Sequence, residues 1–155
     1  MNPLKVALQQ RSIYRVLIRG RALTNWSERA LRKATGGRIG VLDLVGLPSI
    51  QLTVAGRDTG ILHTTTLQYV PDGDVMLVVA SNWGSKRQPS WSANLMVAKQ
   101  VIVRRRADQF TASVRMLTGV ERTLAWNKIL RFWPNYQIAQ EMAGGREFRI
   151  FAIER

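Results

Sequence analysis

Residues 49–80 read SIQLTVAGRDTGILHTTTLQYVPDGDVMLVVA, and their pattern decides the fold. Ile50, Leu52 and Val54 alternate with polar residues, the period of a strand with one buried face. Gly56-Arg57-Asp58-Thr59-Gly60 is a turn. Residues 61–70 form a second strand, because Thr64-Thr65-Thr66 are stiff at χ1 and resist a helix. Pro71-Asp72-Gly73-Asp74 is a hairpin signal. Val75–Ala80 is mostly apolar, as a central strand is. Strands joined by such short turns run antiparallel.

Downstream the chain alternates. Residues 81–88 are a small polar loop, with Gly84 for tight turning and Lys86-Arg87 for charge. Pro89 opens a helix to Lys99. A strand end, a basic loop and a helix start together make a ready anion site. Trp83 and Trp91 are either a flat wall there or core. Val101–Arg106 and Phe110–Met116 are strands turned by Ala107-Asp108-Gln109. A helix over 119–132 follows, stopped by Pro134. A short helix over 135–143 and a strand over 148–153 close the chain. The total is about six strands among helices. The expectation is a mainly β (α+β) protein, an antiparallel barrel closed or nearly closed.

Residues 1–38 read as a basic helical arm, and 39–155 as the barrel domain. The arm holds nine of the 23 Lys and Arg residues and only one acid, Glu28. A helix is expected over 3–19 with Arg11, Arg15 and Arg19 on one side. A second begins at the capping-box pattern Asn25-Trp26-Ser27-Glu28 and ends near Thr35-Gly36. Such an arm either lies on an anionic membrane surface, through residues 3–33, or is a solvated face packed on the barrel.

Composition excludes several chemistries. With no cysteine there is no disulfide, thiolate metal site or Cys nucleophile. With one histidine, His63, there is no multi-His metal site, and no Gly-x-Ser-x-Gly supports hydrolysis. No metal is expected. A net charge of +13 implies an anionic partner. Nucleic acid is the weakest candidate, because the basic clusters are not interleaved with aromatics. Absence of a long apolar run and of a secretory signal points to the cytoplasm, with peripheral contact at the inner face of the cell membrane left open.

One ordered set of short motifs is more specific. Gly56-Arg57-Asp58-Thr59-Gly60, the Thr-rich strand, Asp72-Gly73, Val79-Ala80-Ser81, Pro89-x-Trp91-x-x-Asn94-Leu95 and Trp133-Pro134-x-Tyr136 resemble the deazaflavin (coenzyme F-420) dependent nitroreductase family. The resemblance implies a split β-barrel and an oxidoreductase. A hydride would pass from the reduced deazaflavin to an electron-poor acceptor: a quinone, an enone or a nitroaromatic. Flavin mononucleotide is the lesser cofactor candidate. The resemblance also implies roles. Arg57, Asp58 and Thr59, with His63, Thr64, Thr65, Thr66, Leu67 and Gln68, line the cofactor. Ala80, Ser81 and Asn82 contact its ring and phosphate side. Lys86 and Arg87 stand near its acidic tail. Ser90, Trp91 and Asn94 close the pocket. Ser81 and Tyr136 face the substrate as catalytic hydrogen-bond donors.

The chain departs from that pattern. Asp58 stands where a cation is usual, His63 where an Arg is common, and Asn82 where a Lys is common. Gln68 replaces a frequent aromatic. Ser92-Ala93 replace a bulky pair, and Ala139 replaces a second tyrosine. These changes weaken the phosphate grip and open the substrate side. They motivate a second reading, a non-catalytic lipid, fatty-acid or other cofactor binder on the same barrel. Monomer and homodimer remain equally open.

Overall fold

Period-two alternation in Ser49–Ala55 (β1) turns Ile50, Leu52 and Val54 to one side, where all three are buried. Each strand that follows repeats the device. The strands are β2 (Leu62–Asp72), β3 (Val75–Val79), β4 (Gln100–Arg105), β5 (Asp108–Met116) and β6 (Ile150–Glu154). Every neighbouring pair is antiparallel, and the order β1-β2-β3-β6-β5-β4 closes back on β1. The expected six-stranded antiparallel barrel is therefore present, and closure leaves no exposed sheet edge. These coordinates are a computed structural model that describes residues 21–36 and 47–155. The expected helix over 3–19 lies outside the described residues.

Two apolar layers hold the barrel. The inner one joins Ile50, Leu52, Val54, Val78, Val103 and Phe151. The outer one lies on the other face of β2, β3 and β6. There Val70, Leu77, Val79, Ile150 and Ala152 meet two helices, α3 (Gly119–Phe132) and α4 (Asn135–Met142). Trp133 is buried in that outer layer, and Trp126 packs beside it with its ring edge on Phe148. Both tryptophans are core, as large apolar residues usually are. Burying a side chain such as Ile150 or Phe151 stabilises the fold by roughly 1.5–3 kcal/mol.

Helix α2 (Ser90–Val97) crosses one end of the barrel, joining β3 to β4. It seats Leu95, and against it Trp91, on the inner layer. Helix α1 (Arg21–Ala34) reaches β1 through Arg32, which is buried and donates to Ser49 Oγ at 2.6 Å. Arg104 Nη2 also donates to Gly36 O at 2.6 Å.

Three boundaries differ from expectation. Helix α1 runs through Asn25–Glu28, so that motif lies inside it and caps nothing. Arg21, Ala22 and Leu23 are helical as well, and all are residues that favour a helix. Strand β2 runs through Pro71 and Asp72, and only Gly73 and Asp74 turn. Tyr69 N–H donates to Pro48 O on the β1 side. Two residues on, Pro71 faces that same side where β1 has ended, so its missing N–H breaks no ladder bond. The β4–β5 turn is Arg106-Ala107, with Asp108 paired to Arg105 and Arg106 at φ +56°. Asp108 is held in the strand by Arg155, whose Nη1 lies 2.7 Å from its carboxylate.

Candidate functional site

The sequence-predicted residues fall into three groups on the fold. The first surrounds the β1–β2 turn. Gly56 N–H donates to Ile61 O and Gly60 N–H donates to Gly56 O, closing the turn. A Cβ at position 56 would meet the Thr59 and His63 side chains, Oγ1 at 2.8 Å and Nε2 at 3.2 Å, so glycine lets both pack close over the turn. Arg57 leaves the turn toward α2. Its backbone N–H and its Nη1 both donate to Asn94 Oδ1, at 3.2 and 3.3 Å. Its Nε lies 3.4 Å from Asp58 Oδ2. Asp58 therefore pairs with the neighbouring cation, and Arg57 keeps 43% of its side-chain surface. Thr59 is exposed, and its hydroxyl accepts from Ile61 N–H.

The second group is the Thr-rich strand, which the pleat divides. His63, Thr65 and Leu67 pair with Val54, Leu52 and Ile50 and share their inner face. Thr64, Thr66 and Gln68 pair with Thr53, Gln51 and Ser49 on the outer face. The outer set makes a polar stripe across two strands, tied by a 2.7 Å bond between the Thr53 and Thr64 hydroxyls. One ligand on that face touches alternate residues of 63–68, not all six. At the inner end of the stripe Gln68 Nε2 is buried with no hydrogen-bond partner. An orphaned amide donor in a native fold calls for an acceptor.

The third group is the loop after β3. Asn82, Trp83 and Gly84 all have left-handed backbones, at φ 47°, 55° and 74°. The turn presses on α4, since a Cβ on Gly84 would stand 3.0 Å from Ala139 O. Ala139 is fully buried. The small residue there opens no substrate space, because the turn fills it. Ser92 opens none either: it is buried, donates to Pro89 O and accepts from Arg149 Nη1. Asn82 Nδ2 donates to Arg87 O, and Lys86 and Arg87 are exposed at the rim.

Ser81 is half-buried in this loop, Ser90 is exposed and Ala80 is buried. Trp91 is half-buried and tilted 57° to Phe151 at 6.2 Å, a packing contact at the end of the inner layer. Tyr136 is 5% exposed and lies in the outer layer rather than on an open wall.

Sequence reasoning missed Arg146. It is half-buried in the segment between α4 and β6 and donates to Ala80 O, Ser81 O, Ser85 O and Gln88 Oε1. Its guanidinium stacks 4.7 Å from the Phe148 ring centre. Burial, then the nearby charge of Arg149, hold its pKa below the usual guanidinium range. The only signal in the sequence is an Arg following Gly144-Gly145. A cleft of about 330 Å³ lies beside it, lined by Gln88, Leu117, Thr118, Arg122, Glu147 and Arg149 among others. None of those residues was singled out from the sequence.

Comparison with known proteins places the chain. Residues 26–154 match a family described as F420H(2)-dependent quinone reductase. An F420H(2)-dependent quinone reductase of Mycobacterium tuberculosis (strain ATCC 25618 / H37Rv) is 42% identical over 66 residues, which is 43% of this chain and 44% of that protein. The matched stretch thus spans less than half the length of this relative. The structure of an F420-H2 dependent reductase, FDR-A, superposes with a TM-score of 0.62 at 26% identity, covering 69% of this chain and 94% of that one. A domain-swapped dimer superposes with a TM-score of 0.64 at 24% identity, over 87% and 98%, and shows the same fold. With more than half its length matched by one family, this chain belongs to the F420H(2)-dependent quinone reductases.

Proposed function

We propose that the chain binds the reduced deazaflavin F420 and passes its hydride to a quinone. The observation that carries the reading is Gln68 Nε2, a buried donor without a partner on the outer face of β2. A planar heterocycle edged with carbonyl oxygens supplies the acceptor it lacks. The donor set fits the rest of such a group. Arg57, Lys86 and Arg87 are cations with exposed surface, suited to a phosphate and a carboxylate tail. Family membership and the FDR-A fold support the same reading.

When bound, the reduced deazaflavin supplies the hydride, and the protein supplies position and charge. Gln68 orients the ring from the sheet side. Thr64 and Thr66 offer hydroxyls along the same face. Ser81, half-buried beside the loop, donates to the oxygen on which negative charge develops. Tyr136, buried in the outer layer, reaches that oxygen only when the layer around it opens. The basic arm over residues 3–33 holds the protein at an anionic membrane from the cytoplasmic side, where a lipid-soluble quinone resides; its charge supports this. No helix among the described residues is long and apolar enough to cross a membrane.

The test is a fluorescence titration with F420 beside the same titration with flavin mononucleotide, followed by turnover with a soluble quinone. Selective, salt-sensitive F420 binding and quinone reduction are expected. A folded protein that binds neither ends the proposal. Sedimentation with anionic and neutral vesicles tests the arm separately.

A further inference from the structure

The loop over residues 80–88 is folded around one guanidinium. Arg146 Nη1 donates to Ala80 O at 3.2 Å and to Gln88 Oε1 at 2.6 Å. Its Nη2 donates to Ser81 O and Ser85 O, each at 3.0 Å, and its Nε donates to Ser85 O at 3.1 Å. All these acceptors are neutral, so the cation is solvated by the loop and not neutralised by it. Three backbone carbonyls are turned inward as a result. A peptide group whose carbonyl points one way sends its N–H the other. The peptide groups closed by Ser81 O and Ser85 O carry the N–H groups of Asn82 and Lys86. Among the described residues neither amide donates to a protein acceptor. A hydrogen bond from a cation to the carbonyl polarises the peptide and strengthens its free N–H as a donor.

We infer that Arg146 is the positioning residue that makes this loop an anion-binding element: it takes the loop's carbonyls, and so presents the Asn82 and Lys86 amides to the phosphate of the bound cofactor. This rests on the proposed deazaflavin function. Asn82 brings no charge of its own, so the main-chain donors here do the anion binding. Lys86 adds its ammonium beside its own amide. The contact of Gly84 with Ala139 holds the loop from the opposite side and keeps the three left-handed residues in place. Lysine cannot replace Arg146, because a point charge on a flexible stem does not reach four acceptors in a fixed fork.

The experiment compares the native chain with Arg146→Lys, Arg146→Ala and Gln88→Leu. Thermal melting, F420 affinity and the amide NMR shifts of Asn82 and Lys86 are measured, the shifts without ligand. Expected are cooperative melting, an F420 affinity at least about ten-fold weaker in Arg146→Ala, and partial recovery on adding millimolar guanidinium but not ammonium. Arg146→Lys should resemble the alanine variant in affinity. Both amide signals should move upfield in both variants. Native affinity in Arg146→Ala or in Arg146→Lys overturns the assignment, as do unmoved amide signals. Should Arg146→Ala not fold, Gln88→Leu, which removes the 2.6 Å contact and the 3.4 Å bond from Gln88 Nε2 to Glu147 O, must still weaken F420 binding and shift the same amides. If the native chain itself does not bind F420, the functional reading fails first, and the ligand-free amide shifts still decide whether Arg146 sets the loop.

Discussion

Asn94 Oδ1 receives two hydrogen bonds from one residue, the backbone N–H and the Nη1 of Arg57. A helix that closes the barrel is thereby fastened to the turn that holds a candidate phosphate-binding cation. Asn94 is buried, so its role is to aim Arg57 rather than to meet solvent. Asn94→Ala should lower stability by about 1–3 kcal/mol and weaken F420 binding together. Urea unfolding and the fluorescence titration read the two effects. Intact affinity in a destabilised variant would show that Arg57 needs no such aiming.

Asp58 sits beside the same cation, with both side chains well exposed. An exposed pair of this kind contributes little, about 0–1 kcal/mol. Asp58→Asn should leave urea stability nearly unchanged and tighten binding of a polyanionic cofactor, most visibly at low salt. A weaker affinity in the variant would mean that the carboxylate contacts the ligand favourably.

Gln68 offers a test in which stability and binding move in opposite directions. Its Nε2 is buried and unpartnered in the ligand-free protein. Gln68→Met removes that cost and should stabilise the free protein by up to about 1 kcal/mol. The same change should weaken F420 binding. Reduced stability with unchanged affinity would remove Gln68 from the site.

Gly84 combines φ +74° with a backbone oxygen of Ala139 3.0 Å from where a Cβ would stand. Gly84→Ala should cost about 1–3 kcal/mol from the left-handed strain alone, and more from the contact. Tyr136→Phe in the native background should lower turnover while leaving F420 affinity intact. Unchanged rates with every quinone tried would refute the tyrosine's catalytic role.

Arg115 grips Glu121 with two bonds, 2.8 and 2.6 Å long, tying β5 to the first turn of α3. The Arg115 hydrogen bond, against an opposing desolvation, holds the Glu121 pKa below the usual carboxylate range. A depressed carboxylate stabilises above its unfolded pKa and loses that contribution as pH falls through the folded one. The stability gap between the native chain and Glu121→Gln should thus be full near neutrality and vanish in acid. Thermal melting from pH 7 downward follows it, and a gap that grows on acidification contradicts the pairing.

The barrel was legible in residues 49–80 because alternation and turn chemistry are local. Ile50, Leu52 and Val54 repeat every second position, and Gly73 takes the left-handed turn after Asp72. Family membership was legible for a related reason: the motifs are short and fixed in order. Helix starts were less legible. Asn25–Glu28 looks like a cap, but the helix passes through it, since propensity upstream outweighs a capping pattern.

The sequence by itself determined the strands, their antiparallel sense and a cationic surface suited to an anionic cofactor, since each depends on residues near one another in the chain. Only the tertiary structure decided which of those residues share a face. The pleat put His63 inward and Thr64 outward, and closure of the barrel brought Asn94 to Arg57 across 37 positions of chain. It also brought Arg146 to Ala80 across 66. Contacts of that length leave no periodic trace, because they are set by how the layers pack and not by the local preference of either residue.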